Sequence, residues 1–244
     1  MKTNRIQKSD IDPASRQVAC GNCAMGKLCF PHALPPEFQS LFPLVEEQRI
    51  RLDRDEFLFS GEKAVGVYAI KAGFLKSAMP LADGQSKIVG FHAMGDALGL
   101  DALGHGVHTT DAIALKGSEV CLIPLEKFEK LLEHPTESFH VRQLLSREMA
   151  RVEAHAAAIG VHSARQRVAA FLLDMSERWQ DRGYSKNEFV LYMGRKEIGN
   201  YLGLTFETVS RTLSQFQAED CIVVHGKNVT IKDMAALKLA LSTQ

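Results

Sequence analysis

Arg195-Lys196-Glu197-Ile198-Gly199-Asn200-Tyr201-Leu202-Gly203-Leu204-Thr205-Phe206-Glu207-Thr208-Val209-Ser210-Arg211-Thr212-Leu213 reads as two short helices joined at a glycine. Ile198, Leu202, Val209 and Leu213 are spaced to pack the two helices together, Gly203 supplies the tight turn, and Thr205 is a good N-cap for the second helix. Beyond it, Cys221 to Val224 and Val229 to Ile231 flank His225-Gly226-Lys227-Asn228, which predicts a β-hairpin. Two helices around a glycine turn followed by a hairpin predict a winged helix-turn-helix. Upstream, Val168, Phe171, Leu172 and Met175 give the apolar face of a helix from Ala164 to about Arg182, ended by Gly183. Phe189-Val190-Leu191-Tyr192-Met193 predicts a short strand.

On the second of the paired helices, Glu207, Ser210 and Arg211 stand at i, i+3 and i+4 and project from one face. Their chemistry is that of base reading. Arg offers two parallel donors to guanine O6 and N7, Glu accepts from the cytosine amino group, and Ser reaches a base edge or a phosphate. A surface ion pair between Glu207 and Arg211 is the plainer account of the spacing; the turn, the cap and the apolar packing around them favour DNA. If each of two protomers reads one half-site, the two recognition helices must stand ~34 Å apart across a palindrome.

Towards the N-terminus, Glu137 to Gly160 contains no proline and no internal glycine and predicts one long helix. Leu145, Met149, Val152, Ala156 and Ile159 recur on it at spacings of 4, 3, 4 and 3, a heptad seam. A helix packed on its own domain is the rival account; its place between two domains points to a homodimer. From about Arg49 to Pro124, short apolar runs such as Phe57-Leu58-Phe59, Val65 to Ile70 and Ile88 to Phe91 alternate with turns carrying Gly61, Gly73, Gly84, Gly95 and Gly104. That pattern predicts an antiparallel β-roll or sandwich. Residues 1 to 31 hold three cysteines and no sustained hydrophobic period. The expected architecture is α+β: an N-terminal cysteine segment over 1–31, a jelly-roll-like β-roll sensor over 32–135, a dimerisation helix over 136–161 and a winged helix-turn-helix over 162–244.

The 244 residues are 45% hydrophobic and 24% charged, an ordinary globular composition that excludes disorder as the main state. Lys and Arg number 29 and so do Asp and Glu, and residues 164 to 244 carry 11 and 9, so charge alone does not point to nucleic acid. No run approaches the ~20 apolar residues needed to cross a bilayer, and residues 1 to 19 lack the apolar core of a signal peptide. A cytoplasmic protein with no membrane partner is expected. There is no G-x-S-x-G, Walker loop or H-E-x-x-H, and His92, His105 and His108 form no i, i+4 metal pair, so no enzyme activity is expected.

Cys20, Cys23 and Cys29 have the spacing C-x2-C-x5-C, and Cys121 follows in Val120-Cys121-Leu122-Ile123-Pro124. In a reducing compartment such thiols read as metal ligands or redox groups before disulfides. Four thiolates complete the shell of a metal centre; the x2 gap lets two sulfurs reach it, and the x5 loop is small or apolar apart from Lys27, suited to shield a cluster. On spacing alone, an iron–sulfur cluster and tetrahedral zinc stand as equal rivals. Cys221, alone at the start of a strand, reads as a small buried residue.

Together, the three N-terminal cysteines, Cys121 in its Val-Cys-Leu-Ile-Pro setting, and the run from Arg195 into Glu207-Thr208-Val209-Ser210-Arg211 resemble the oxygen-responsive regulators of the Crp/Fnr superfamily over nearly the whole chain. The resemblance implies that Cys20, Cys23, Cys29 and Cys121 ligate a 4Fe–4S cluster formed without oxygen. It also implies that oxygen converts the cluster to 2Fe–2S and loosens a homodimer. Glu207, Ser210 and Arg211 would read a TTGAT half-site and its inverted repeat ATCAA in double-stranded DNA, with RNA polymerase as a further partner and genes of anaerobic metabolism as targets. Nitric oxide is another ligand such a cluster would take. Relatives with the same roll bind cyclic AMP through a Glu and an Arg-Ser or Arg-Thr pair. The corresponding stretch here, Gly95 to Thr110, has no arginine for the phosphate, so no cyclic nucleotide is expected. In well-known members an aspartate in the seam keeps the oxygen-exposed form monomeric; Val152 stands there, with Glu153 beside it and Glu148 nearby as another source of repulsion. An apolar seam residue predicts a dimer that persists in part in air. The alternative retains DNA binding but gives the cysteines zinc, or direct thiol oxidation.

Overall fold

The computed structural model describes residues 49–133 and 135–242. The expected cysteine segment over 1–31, with Cys20, Cys23 and Cys29, lies outside the described residues. The chain divides into two compact units at Met149/Ala150.

Among the described residues of the first unit, glycine-punctuated apolar runs form eight strands: β1 (Arg49–Leu52), β2 (Phe57–Ser60), β3 (Gly66–Ala72), β4 (Phe74–Pro80), β5 (Ser86–Ala93), β6 (Ala97–Leu98), β7 (Asp111–Ala114) and β8 (Ser118–Pro124). They make two four-stranded sheets, ordered β1-β8-β3-β6 and β2-β7-β4-β5. Every pairing is antiparallel. Alternation along β3 and β8 assigns their side chains to two faces. Tyr68, Ile70, Val120 and Leu122 meet Leu58, Phe59, Leu75, Ala112 and Ala114 of the other sheet. Val67, Ala69 and Ile123 pack instead with Phe128 of α1 (Leu125–Leu132) and Val141 of α2 (Pro135–Val161). Both faces of β3 are covered, which is why Gly66 to Ile70 are buried without a break. Each fully buried large aliphatic in these clusters contributes roughly 1.5–3 kcal/mol.

The second unit takes the last turns of α2 and adds α3 (Ala164–Asp181), β9 (Glu188–Val190), α4 (Arg195–Leu202), α5 (Phe206–Ala218), β10 (Ile222–His225), β11 (Asn228–Ile231) and α6 (Met234–Leu239). At the start of α3, Ser163 Oγ accepts from the Gln166 N–H at 3.3 Å and the Gln166 side chain accepts from the Ser163 N–H at 2.7 Å, a reciprocal cap. Val168, Phe171, Leu172 and Met175 are its buried face, and Gly183 follows in a left-handed conformation. Strands β10, β11 and β9 form an antiparallel wing. The strand expected over Phe189–Met193 stops at Val190, because its partner Asn228 is the first residue of β11 after the hairpin turn. Leu191 and Met193 are still buried, so their apolar signal was one of core and not of strand.

The five seam residues on α2 divide between two environments. Leu145 is half-buried against the apolar cluster of the roll, as the rival account of the helix expects. Met149 and Val152 are 62% and 60% exposed, Ala156 is exposed and Ile159 half-buried. Among the described residues no helix is long and apolar enough to cross a membrane.

Candidate nucleic-acid interface and cysteine site

Helices α4 and α5 meet at Gly203, whose φ of 66° is the left-handed turn that glycine adopts without strain. Thr205 Oγ1 accepts from the Thr208 N–H at 3.2 Å and caps α5. Ile198, Leu202, Val209 and Leu213 are all buried, as their spacing required. Gly199 was not singled out by the sequence reading. A Cβ there would stand 2.6 Å from Leu204 O, so only glycine lets the chain leaving the turn lie against α4. A glycine inside a helical pattern was the available signal, since it is unfavourable unless backbone comes close. The far end of α5 is held by Arg165 of α3, which grips the Glu219 carboxylate at 2.9 and 2.5 Å and lies 4.3 Å over the Phe216 ring.

With one face of α5 buried, the opposite face presents the expected residues. Glu207 and Arg211 are exposed and Ser210 is half-buried. No ion pair joins Glu207 to Arg211 among the described residues, so the plainer account of their spacing is not what the chain adopts. The Glu207 carboxyl is held below its ordinary range by its own backbone N–H and the Thr205 side chain, with Lys196 adding to this against slight desolvation. It is therefore an ionised acceptor at neutral pH. Ser210 Oγ is shielded and makes no hydrogen bond among the described residues.

Cys121 lies on β8 between Arg49 of β1 and Ala69 of β3 in register. It is half-buried on the helix-facing side of the sheet, against the cluster that includes Val67, Ile123, Phe128 and Val141 and also takes in Leu144 and Leu145. Among the described residues no group of three or more His, Cys, Asp or Glu side chains gathers to hold a metal. The donor chemistry of Cys121 fits a thiolate-ligated cluster: a soft ligand on a central strand, half-buried against an apolar cluster. Cys221 is buried as expected, and burial together with the Glu219 carboxylate pushes its thiol pKa up.

In the roll, Asp101 collects five contacts. One carboxylate oxygen accepts from the Thr109 N–H at 2.8 Å, the Thr110 N–H at 3.1 Å and both threonine hydroxyls at 3.1 Å. The other lies 3.3 Å from His108 Nδ1, on a buried ring stacked 3.7 Å from Phe59. Burial resists ionisation, but the hydrogen bonds from His108, Thr109 and Thr110 outweigh it and bring the Asp101 pKa down to about 2.

A capped helix on a glycine turn, beside a hairpin wing, in a chain that also carries a β-roll defines a DNA-binding transcription regulator. The Crp-like helix-turn-helix domain model matches residues 166–240, and the cyclic nucleotide-binding domain model matches residues 49–134. The transcriptional regulatory protein btr of Bordetella pertussis is 40% identical over 222 residues, 90% of this chain and 91% of that protein. The fumarate and nitrate reduction regulatory protein of Escherichia coli is 36% identical over 222 residues, 90% of this chain and 89% of that one. Among solved structures, FixK2 from Bradyrhizobium japonicum has a TM-score of 0.73 and 29% identity, covering 81% of this chain and 98% of its own. The chain belongs to the Crp/Fnr family of transcription regulators.

Proposed function

We propose that this regulator responds to oxygen, binding as a homodimer to a palindrome of TTGAT and ATCAA and controlling genes of anaerobic metabolism with RNA polymerase as its partner. The observation that carries the reading is the pairing of an exposed, ionised Glu207 and an uncommitted Arg211 on a helix whose opposite face is buried. Arg211 donates to guanine O6 and N7 while Glu207 accepts from a cytosine amino group. Ser210 reaches the DNA only after a rotation about χ1, because its hydroxyl is shielded in the free chain.

Cys20, Cys23, Cys29 and Cys121 would hold a 4Fe–4S cluster, and a cluster bound there would supply the oxygen sensitivity. Likeness to the Escherichia coli fumarate and nitrate reduction regulator supports this assignment. So does the neighbourhood of Cys121, which shares one apolar cluster with Leu144 and Leu145 of α2, so that a change at the thiolate is felt by the helix. The exposed row Met149, Val152 and Ala156, with Ile159, would form the dimer face. No cyclic nucleotide is expected, and the Asp101 carboxylate supports that expectation by already engaging the Thr109 and Thr110 donors. The test is fluorescence anisotropy with a duplex carrying TTGAT and ATCAA, before and after admitting air. Tight binding without oxygen that weakens in air is expected; equal affinity for a scrambled duplex would contradict the reading.

A further inference from the structure

Within the second unit, the last turns of α2 border a cleft of about 390 Å3 shared with α3 and α4. On one wall His155 of α2 lies flat on Tyr201 of α4, the ring centroids 3.8 Å apart and the planes 9° apart. Phe171 of α3 meets Tyr201 edge-on at 6.1 Å. Nearby, Arg167 of α3 donates from Nε to the His162 carbonyl at 2.9 Å and from Nη1 to the Leu202 carbonyl at 3.1 Å. Both carbonyls belong to helix C-termini: His162 follows α2 directly and Leu202 is the last residue of α4. One guanidinium thus satisfies acceptors left over at two helix ends and offsets two negative dipole ends. An aromatic stack and a two-carbonyl clamp therefore tie α2 to the first helix of the helix-turn-helix, which in turn packs on α5.

We propose that His155 and Arg167 are positioning residues for DNA binding, holding α4, and through it the recognition helix, at a set angle to the end of α2. Neither needs to touch a base or a phosphate. The inference rests on the reading of the protein as a dimer on a palindrome. When one protomer has docked, the second half-site is met at an effective concentration set by how narrowly the spacing of the two recognition helices is held. A slack joint spreads that spacing and lowers the effective concentration, while leaving the contacts made at each half-site intact. What position 155 must supply is a flat ring, which phenylalanine also has. Position 167 needs a fork, and lysine keeps the charge while its single ammonium cannot hold two carbonyls in fixed geometry.

The experiment measures anisotropy for the wild-type chain and for His155→Ala, His155→Phe and Arg167→Lys, on a full palindrome and on a duplex with one half-site. Sedimentation reports dimer content and a melting curve reports folding. His155→Ala and Arg167→Lys are expected to lose about tenfold or more on the full palindrome, with half-site affinity and dimer content unchanged, and His155→Phe to recover most of the loss. Equal losses on both duplexes, no loss on either, or no recovery in His155→Phe would overturn the assignment. A wild-type chain with no preference for the full palindrome would overturn the palindrome reading itself, and this inference with it.

Discussion

Arg211 and Asp101 show two uses of charge at the scale of single residues. Arg211 is exposed, with no ion pair among the described residues, which leaves its paired donors available for the proposed guanine contact. Replacing it with alanine is expected to cost ~1–3 kcal/mol on the TTGAT duplex and to relax discrimination at the guanine. Competition binding with duplexes altered at that base checks this, and unchanged discrimination would remove Arg211 from the reading set. Asp101 is committed inward, with a folded pKa of about 2 against an ordinary 3.8. Because the folded value is the lower one, its contribution is present above about pH 4 and is lost as pH falls through about 2. With the side chain 22% exposed, the shift corresponds to roughly 2 kcal/mol at neutral pH. Asp101→Asn is therefore expected to melt lower than the wild-type chain at pH 7, with a gap that narrows towards pH 2; a gap independent of pH would contradict the assignment. The shared, exposed face of Glu207 and Arg211 was legible in the sequence because helical spacing is local. Arg165 with Glu219, Arg167 with Leu202, and His155 with Tyr201 were not, since those partners are distant in the chain and only the folded structure brings them together.

Gly199 and the exposed row of α2 carry the predictions that belong to whole elements. A side chain at 199 would collide with the Leu204 carbonyl and force α4 away from the turn. Gly199→Val is expected to destabilise the second unit by about 1–3 kcal/mol and to weaken DNA binding, read as a lower melting temperature together with a weaker anisotropy titration. Val152, 60% exposed in the single chain, tolerates a charge as far as its own fold is concerned. Across a dimer seam the same charge would face its copy, so Val152→Asp is expected to shift sedimentation towards monomer without lowering the melting temperature of the chain. An unchanged dimer would place the seam elsewhere. The extent of α2, the α4–turn–α5 pair and the antiparallel nature of the roll, with its runs at Phe57, Val65 and Ile88, could be read from period and glycine punctuation; α1, α6, the end of α5 and the remaining strands of the roll were not read. Where β9 ends could not, because that depends on the position of Asn228 across the wing. Nor could the division of the heptad row be read, since a residue such as Leu145 shows the same spacing whether it faces its own roll or a partner.

Across the whole molecule, α2 is the one element among the described residues that runs from the unit holding Cys121 into the unit holding α5, and the proposed function uses it to connect the two. Cys121 and Leu145 share a cluster at one end of that path, while His155 and Arg167 hold α4 at the other. Net charge carries little of this, since 29 basic residues balance 29 acidic ones and the functional asymmetry lies in which few side chains each surface exposes. The helix-turn-helix was legible because its motif is contiguous, and family membership because several short motifs occur together along the chain. The metal was not, because four thiolates suit zinc and iron–sulfur alike. Oxygen sensing through a cluster is therefore decided by the iron, acid-labile sulfide and zinc content of protein purified without oxygen, with absorption spectra taken before and after air is admitted. Near-equal iron and sulfide, with a brown colour that changes in air and is lost in the Cys121→Ala variant, is the predicted result. Stoichiometric zinc, or no metal at all, would contradict oxygen sensing while leaving the DNA-reading surface in place.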